Sequence, residues 1–169
     1  MPAENATSLI IGDPSPLIFL AKVDQLALVQ KLFCGRCVVL DCAAAEVLSP
    51  NADPVEHRRL QTWLDSVERL TSEGRLFEST ALSCSDQSSL AWAIENRADC
   101  LIADERLLRR FAQEHRIAVM GLCGIILNAA QARYLSRKAA RRIIDEAVGQ
   151  HGLNLSITVY QAILAHLQA

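Results

Sequence analysis

Four carboxylates, Asp13, Glu46, Asp86 and Asp104, stand where short apolar runs give way to segments of helical period. Asp13 follows "SLIIG" directly and Asp104 follows "DCLIA" directly. Asp86 opens a helical segment after "RLFES", and Glu46 lies on the short helical segment after "CVVL". In an open parallel sheet the loops leaving the carboxyl ends of the strands converge on one rim, and ligands bind there. Four anions gathered in a partly buried cleft repel one another unless a cation neutralises them, so the pattern points to a hard divalent ion with oxygen ligands, Mg²⁺ or Mn²⁺.

Taken singly, each acid also has a plain explanation. Asp13 before Pro14 reads as a helix N-cap with proline in the first turn, and Asp104 before "ERLLRR" as another cap. Asp86 in "SDQS" favours the positive end of a helix, and Glu46 reads as an exposed helix residue. Their joint occurrence at one edge is what favours the ion site. No Gly-rich loop cradles a nucleotide, no Ser-His-Asp order is evident, and "DPSPL" lacks the paired acids of a receiver domain or the Asp-x-Asp of a dehalogenase-type phosphatase. The four histidines, His57, His115, His151 and His166, fall in helical or turn contexts away from the strand ends.

The elements that must position these acids alternate along the chain. Strands are expected at 8–12, 37–40, 75–79, 99–103 and 117–120, the first, second and fourth apolar enough to be buried on both faces. Helices are expected at 15–33 with a break near Asp24, and at 41–48, 54–71, 86–97 and 105–115. Such alternation predicts right-handed crossovers and an α/β fold with a parallel sheet covered on both sides. After Gly121 three helices are expected in succession, with Ser136 and Ser156 capping the last two. The expectation is one domain over 1–169, with a flexible stretch at 1–7 and helices over 121–169 packed on the domain.

With 51% apolar residues the 169-residue chain can bury a substantial core. No stretch approaches the roughly 18 apolar residues of a membrane helix. The start "MPAENATS" lacks the order of a signal peptide, so a cytoplasmic protein is expected. Six cysteines in mostly apolar or helical segments fit reduced, buried thiols. The Cys34 and Cys37 pair of "CGRC" has metal or redox spacing but no second pair to complete it. Net charge is −2, yet residues 41–100 carry a balance of −6 and residues 101–142 a balance of +6. The second half of the fold could therefore offer a positive face to a polyanion. Arginine, whose planar fork suits phosphate, supplies 14 of the 17 basic residues.

The ordered set "IIGDPSPLIFLAKVDQLALVQKLF", "VVLDCAAAEVL" and "SDQSSLAWAIENRADCLIADERLLRRFAQEHRIAVMG", continued by "GIILNAAQARYLS" and "LSITVYQAIL", closely resembles the prokaryotic PIN-like family known as domain of unknown function 3368. That family resembles the VapC-type toxin nucleases. The resemblance implies a three-layer α/β/α PIN-like fold with a central parallel sheet of about five strands and a helical C-terminal extension. It implies Mg²⁺- or Mn²⁺-dependent hydrolysis of RNA phosphodiester bonds, a small antitoxin protein as partner, and a homodimer. Carried over by motif, the acids fall on Asp13, Glu46, Asp86 and Asp104 with Glu105 beside it; Asp13, Asp86, Asp104 and Glu105 would hold the metal. The chain departs from the family pattern in having Pro14 where a hydroxyl residue is usual, with Ser15 next to substitute. It also has Leu40 and Ala43 for Pro and Val, Ser85-Asp86 for Gly-Glu, and Asp104-Glu105 for Asp-Asp. Arg106, Arg109 and Arg110, just beyond Asp104, could hold the strand by its phosphates. The substitutions around the acids leave a second expectation, a PIN-like module without catalysis that binds protein or RNA.

Overall fold

The computed structural model describes residues 8–33, 35–48, 50–51, 53–72, 74 and 77–168. The expected flexible stretch at 1–7 lies outside the described residues, as does Cys34. Five strands, β1 (Ser8–Ile11), β2 (Arg36–Leu40), β3 (Glu68–Leu70), β4 (Cys100–Ile102) and β5 (Ala118–Met120), form one sheet in the order β3-β2-β1-β4-β5. Every pairing is parallel. The chain works outward from β1 to one edge, then crosses back and continues on the other side through β4. The topological switch therefore lies between β1 and β4, the place where such sheets bind ligands.

Side-chain alternation in the strands divides the core in two. Val39 and Ile102 point to a cluster built with α1 (Ser15–Lys22), α2 (Ala27–Leu32), α3 (Asp41–Val47), α4 (Pro54–Leu64), α7 (Leu122–Gln131), α8 (Arg137–Gly149) and α9 (Ile157–Gln168). Val38, Leu40 and Leu101 point to a second cluster with α5 (Cys84–Glu95) and α6 (Arg106–Glu114). Burial on both faces explains the unbroken apolar runs of β2 from Val38 and of β4.

The expected break near Asp24 is present: Asp24 takes φ 56° between α1 and α2, a left-handed conformation that stops the first helix. Ser136 and Ser156 accept N–H bonds from Ala139 and Val159 at 3.1 and 3.2 Å, as caps should. Ile143, Ile144, Ile163 and Leu167 of α8 and α9 join the larger cluster.

The third strand is a correction. It was expected at 75–79; residues 77–79 form no strand, and 75 and 76 lie outside the described residues. The strand is instead Glu68–Leu70, inside the stretch expected to continue the helix to residue 71; α4 ends at Leu64. A three-residue edge strand with two exposed charged residues carries no apolar signature, and β2 defines it by pairing. Phe77 serves otherwise, packing its ring 5.1 Å from Phe111 and 5.5 Å from His115 and anchoring the loop to α6.

Candidate active site

At the switch point β1 continues two residues beyond its end, with the Gly12 and Asp13 amides both donating to the Ile102 carbonyl at 3.0 Å. The approach is close enough that a Cβ on Gly12 would lie 2.7 Å from Leu101 Cδ1, so glycine is what the packing admits. The Asp13 side chain is 7% exposed. Its Oδ1 accepts from the Ser15 amide at 2.8 Å, and its Oδ2 from the Asp104 and Glu105 amides at 3.0 and 2.9 Å. One carboxylate thus ties the exit of β1 to the exit of β4, drawing on donors 91 and 92 residues away.

Asp104 is half-buried and accepts from the Leu122 amide, at the start of α7, at 3.2 and 3.3 Å on its two oxygens. A Cβ on Gly121 would sit 2.0 Å from Asp104 Oδ1, so the absence of a side chain there lets the carboxylate reach the helix. Burial raises the Asp104 pKa and Asp13 raises it further, while the Leu122 amide and Arg109 oppose both. Asp86, in the first turn of α5, has its amide bound to Ser83 Oγ at 3.1 Å. Its pKa is raised by burial first, then by Asp13 and Glu105, against hydrogen bonds from Ser83. Glu46, exposed on α3, is raised by partial burial, by Asp86 and by Asp13, against the nearby Ser85 hydroxyl. Ser85 is 2% exposed and its Oγ meets no partner of hydrogen-bonding geometry.

The acids expected at the rim therefore share one electrostatic field: Glu46, Asp86 and Asp104 each feel Asp13. They do not close around a point. Among the described residues no group of three or more His, Cys, Asp or Glu side chains is close enough to hold a metal ion. The donor set nonetheless fits a hard dication, being carboxylates that repel one another beside a buried hydroxyl with no partner. Asp13, Asp86, Asp104 and Glu46 would hold it, Asp13 and Asp104 through oxygens that also accept from backbone amides.

The neighbours expected to contribute divide. Glu105, not Asp104, caps α6, accepting from the Leu108 amide, so one of its oxygens already has a structural task. Ser15 starts α1 and gives its amide to Asp13. Arg106 is exposed on the first turn of α6, whereas Arg109 turns inward to donate to the Ala103 carbonyl at 2.8 Å. Arg110 pairs with Glu114 at 3.0 Å. Six of the arginines over 101–142 stand on α6 and α8, which pack on opposite sides of the sheet, and Arg116 and Arg133 stand in the loops that follow α6 and α7.

One acid escaped the sequence reading. Asp41 follows β2 as directly as Asp104 follows β4, and accepts from the Ser72 amide, the Ser72 hydroxyl and the Cys42 amide at 3.0, 2.8 and 2.8 Å. Those bonds, Ser72's foremost, hold its pKa below the usual carboxylate range. The rule that marked Asp13 and Asp104 marks it too; its place at the head of α3 hid it. Three thiols are held in the protonated form: burial pushes Cys37 up to about 12 and Cys100 and Cys123 up to about 11.

No helix among the described residues is long and apolar enough to cross a membrane. No curated protein matches the chain. The profile of the DUF3368 family, described as a PIN domain, matches residues 9–169. With acids at the switch point of a parallel α/β sheet and a match over nearly its whole length, the chain belongs to this PIN-domain family, which gives it a nuclease-type function.

Proposed function

We propose that the chain is a Mg²⁺- or Mn²⁺-dependent ribonuclease that hydrolyses RNA phosphodiester bonds, and that it acts as the toxin of a prokaryotic toxin–antitoxin pair, as a homodimer held in check by a small antitoxin protein in the cytoplasm. PIN domains are generally nucleases, which supports the reaction class. The observation that carries the reading is the convergence of acids on the switch point: Glu46, Asp86 and Asp104 all have raised pKa values, by burial first and by the charge of the sealed Asp13 as well. Carboxylates that repel one another are stabilised by a dication between them.

An ion bound there supplies positive charge to the phosphate and makes a water acidic enough to attack. The chain's own residues do the remaining work. Asp13 is fixed by three amide donors and sets the origin of the site. Asp86 and Asp104 flank it, and Glu105, which also caps α6, stands beside them as a further oxygen donor. Glu46 stands at the exposed rim, its raised pKa suiting it to take the proton of the attacking water. Arg106 is placed to receive a neighbouring phosphate. Ser15, Arg109 and Arg110 serve as positioning residues, Arg109 through its charge beside Asp104. Because water attacks, the reaction consumes no 2′-hydroxyl, and RNA is assigned from the family.

The test is cleavage of single-stranded RNA by the purified chain with Mn²⁺ or Mg²⁺. The parent should cut and stop on adding EDTA, and Glu46→Gln should lose about a hundredfold or more of the rate at a thermal midpoint no lower than the parent's. A parent that cuts nothing with either ion, or a Glu46→Gln chain that cuts as fast, overturns the assignment. Arrest of host growth by the induced parent and not by Glu46→Gln tests the toxin role.

A second reading, a module without catalysis that binds protein or RNA, is favoured by a specific observation: both oxygens of Asp13 and of Asp104 are already occupied by backbone amides. Calorimetry with Mn²⁺ separates the two, since such a module takes up no ion at the rim.

A further inference from the structure

Two sets of interactions play no part at the acidic rim, the clamp of Asp41 on Ser72 and a paired arginine behind Trp92, and both border one cavity. It measures about 460 Å³ and lies between α5 and the β2–β3 edge of the sheet. Leu40 and Leu70 give it an apolar floor, Trp92 an aromatic wall, and Thr71, Ser72 and Ser88 a hydroxyl rim. The volume is in the range of small-ligand sites, about 300–1,000 Å³. We propose that this cavity receives one base of the RNA strand, and that it selects bases carrying an exocyclic amino group. The proposal rests on the nuclease reading above for the strand that reaches it.

The lining decides the chemistry. No lysine or arginine lines the cavity among the described residues, so it is not built for phosphate. Glu95 and Asn96 complete the lining, and the Glu95 carboxylate opposes a phosphate further while offering acceptor oxygens. An indole beside apolar and polar groups is the setting in which single-stranded bases stack and are read along their edges. Two of the three hydroxyls have fixed polarity. Ser72 Oγ donates its proton to Asp41 at 2.8 Å and Ser88 Oγ donates its own to the Cys84 carbonyl at 2.9 Å. Each is left with lone pairs alone, an acceptor. Two acceptors on one rim match the amino groups of adenine, cytosine or guanine and oppose the carbonyl oxygens of uracil.

The walls are held before any ligand arrives. Asp41 fixes Ser72 through both amide and hydroxyl. The Arg36 guanidinium lies 5.7 Å from the Trp92 ring centre and is itself oriented by Glu68, whose second oxygen it meets at 2.7 Å. The site is also within reach of the acids. Ser88 is two residues beyond Asp86 on α5, and a rise of 1.5 Å per residue puts Trp92 about 9 Å from Asp86 along the helix axis, the span of a nucleotide or two.

The test is binding in EDTA, where no cleavage occurs, of short oligouridylates carrying a single central A, C or G, against the all-U strand. Tryptophan emission gives the readout for the parent, with Trp63, buried on α4, as constant background, and anisotropy of end-labelled strands gives it for the variants. At least one amino-bearing strand should quench Trp92 and bind about tenfold tighter than all-U, and Trp92→Ala or a cavity-filling Thr71→Met should erase that preference. Equal binding of all four strands, or a preference that survives Thr71→Met, overturns the proposal. Binding of AMP, CMP or GMP as tight as the strand assigns the cavity to free nucleotides and overturns the strand assignment. Metal-dependent cleavage without base preference would refute the cavity alone; base preference without cleavage would refute the nuclease alone.

Discussion

Asp13 is a joint of the fold as well as a candidate ligand, and the two roles make different demands on its chemistry. Its Oδ1 faces one amide donor and its Oδ2 two, so an asparagine must turn its NH₂ toward a donor whichever way it is rotated. Asp13→Asn should therefore lower the unfolding free energy by about 1–3 kcal/mol, seen as a reduced urea midpoint, even without metal. Equal midpoints would show that the three amides find other partners. The sequence pairs Asp13 with Pro14 in a manner that reads as a simple cap, for which asparagine is an excellent substitute. The difference comes from the amides of Asp104 and Glu105, far along the chain, which no local pattern contains. Glu46, exposed and without a backbone bond of this kind, is the cleaner position for an activity test.

The helices and strands show which elements carry their own information. Ser136 heads α8 with its hydroxyl on the Ala139 amide. Ser136→Ala should cost about 1 kcal/mol, readable in the thermal midpoint, because a helix begun without a cap leaves a donor unpaired. A midpoint unchanged within error would mean that packing on α7 sets this helix end. Caps and helical period are local, and so the run of three C-terminal helices was legible. So were β1, β2 and β4 as apolar runs, which in β2 and β4 reflect burial on both faces. β3 was not, since Glu68 and Arg69 are exposed and only the register with Val38 and Val39 makes them a strand. The acids that followed legible strands were found for the same reason. Asp41 followed one too, yet its bond to Ser72 depends on where β3 ends, and β3 was misplaced by seven residues or so.

For the molecule as a whole, the rim makes stability depend on pH and on metal together. Glu46, Asp86 and Asp104 have pKa values raised in the folded state above the usual carboxylate range, by burial first. The folded chain then holds more protons than the unfolded one, and stability falls as pH rises through the raised values. Asp41 and Glu68 are shifted down, and their contribution is lost only as pH falls below the usual carboxylate range, a separate window. In EDTA the thermal midpoint should thus decline from about pH 4.5 upward until the rim is fully ionised. Excess Mn²⁺ should restore it, strongly at neutral pH and weakly at pH 4.5, where protons compete with the ion. Scanning calorimetry over that range checks both signs. A midpoint indifferent to Mn²⁺ at pH 7 would favour the module without catalysis.

The three amides gathered on Asp13 have a spectroscopic meaning. Ser15, Asp104 and Glu105 donate their protons to the oxygens that an arriving ion would have to share, so charge drawn away from that carboxylate is felt first along these three N–H bonds. The molecule carries its own indicators in the main chain, on both sides of the sheet's turning point, and they speak without any label, substrate or turnover.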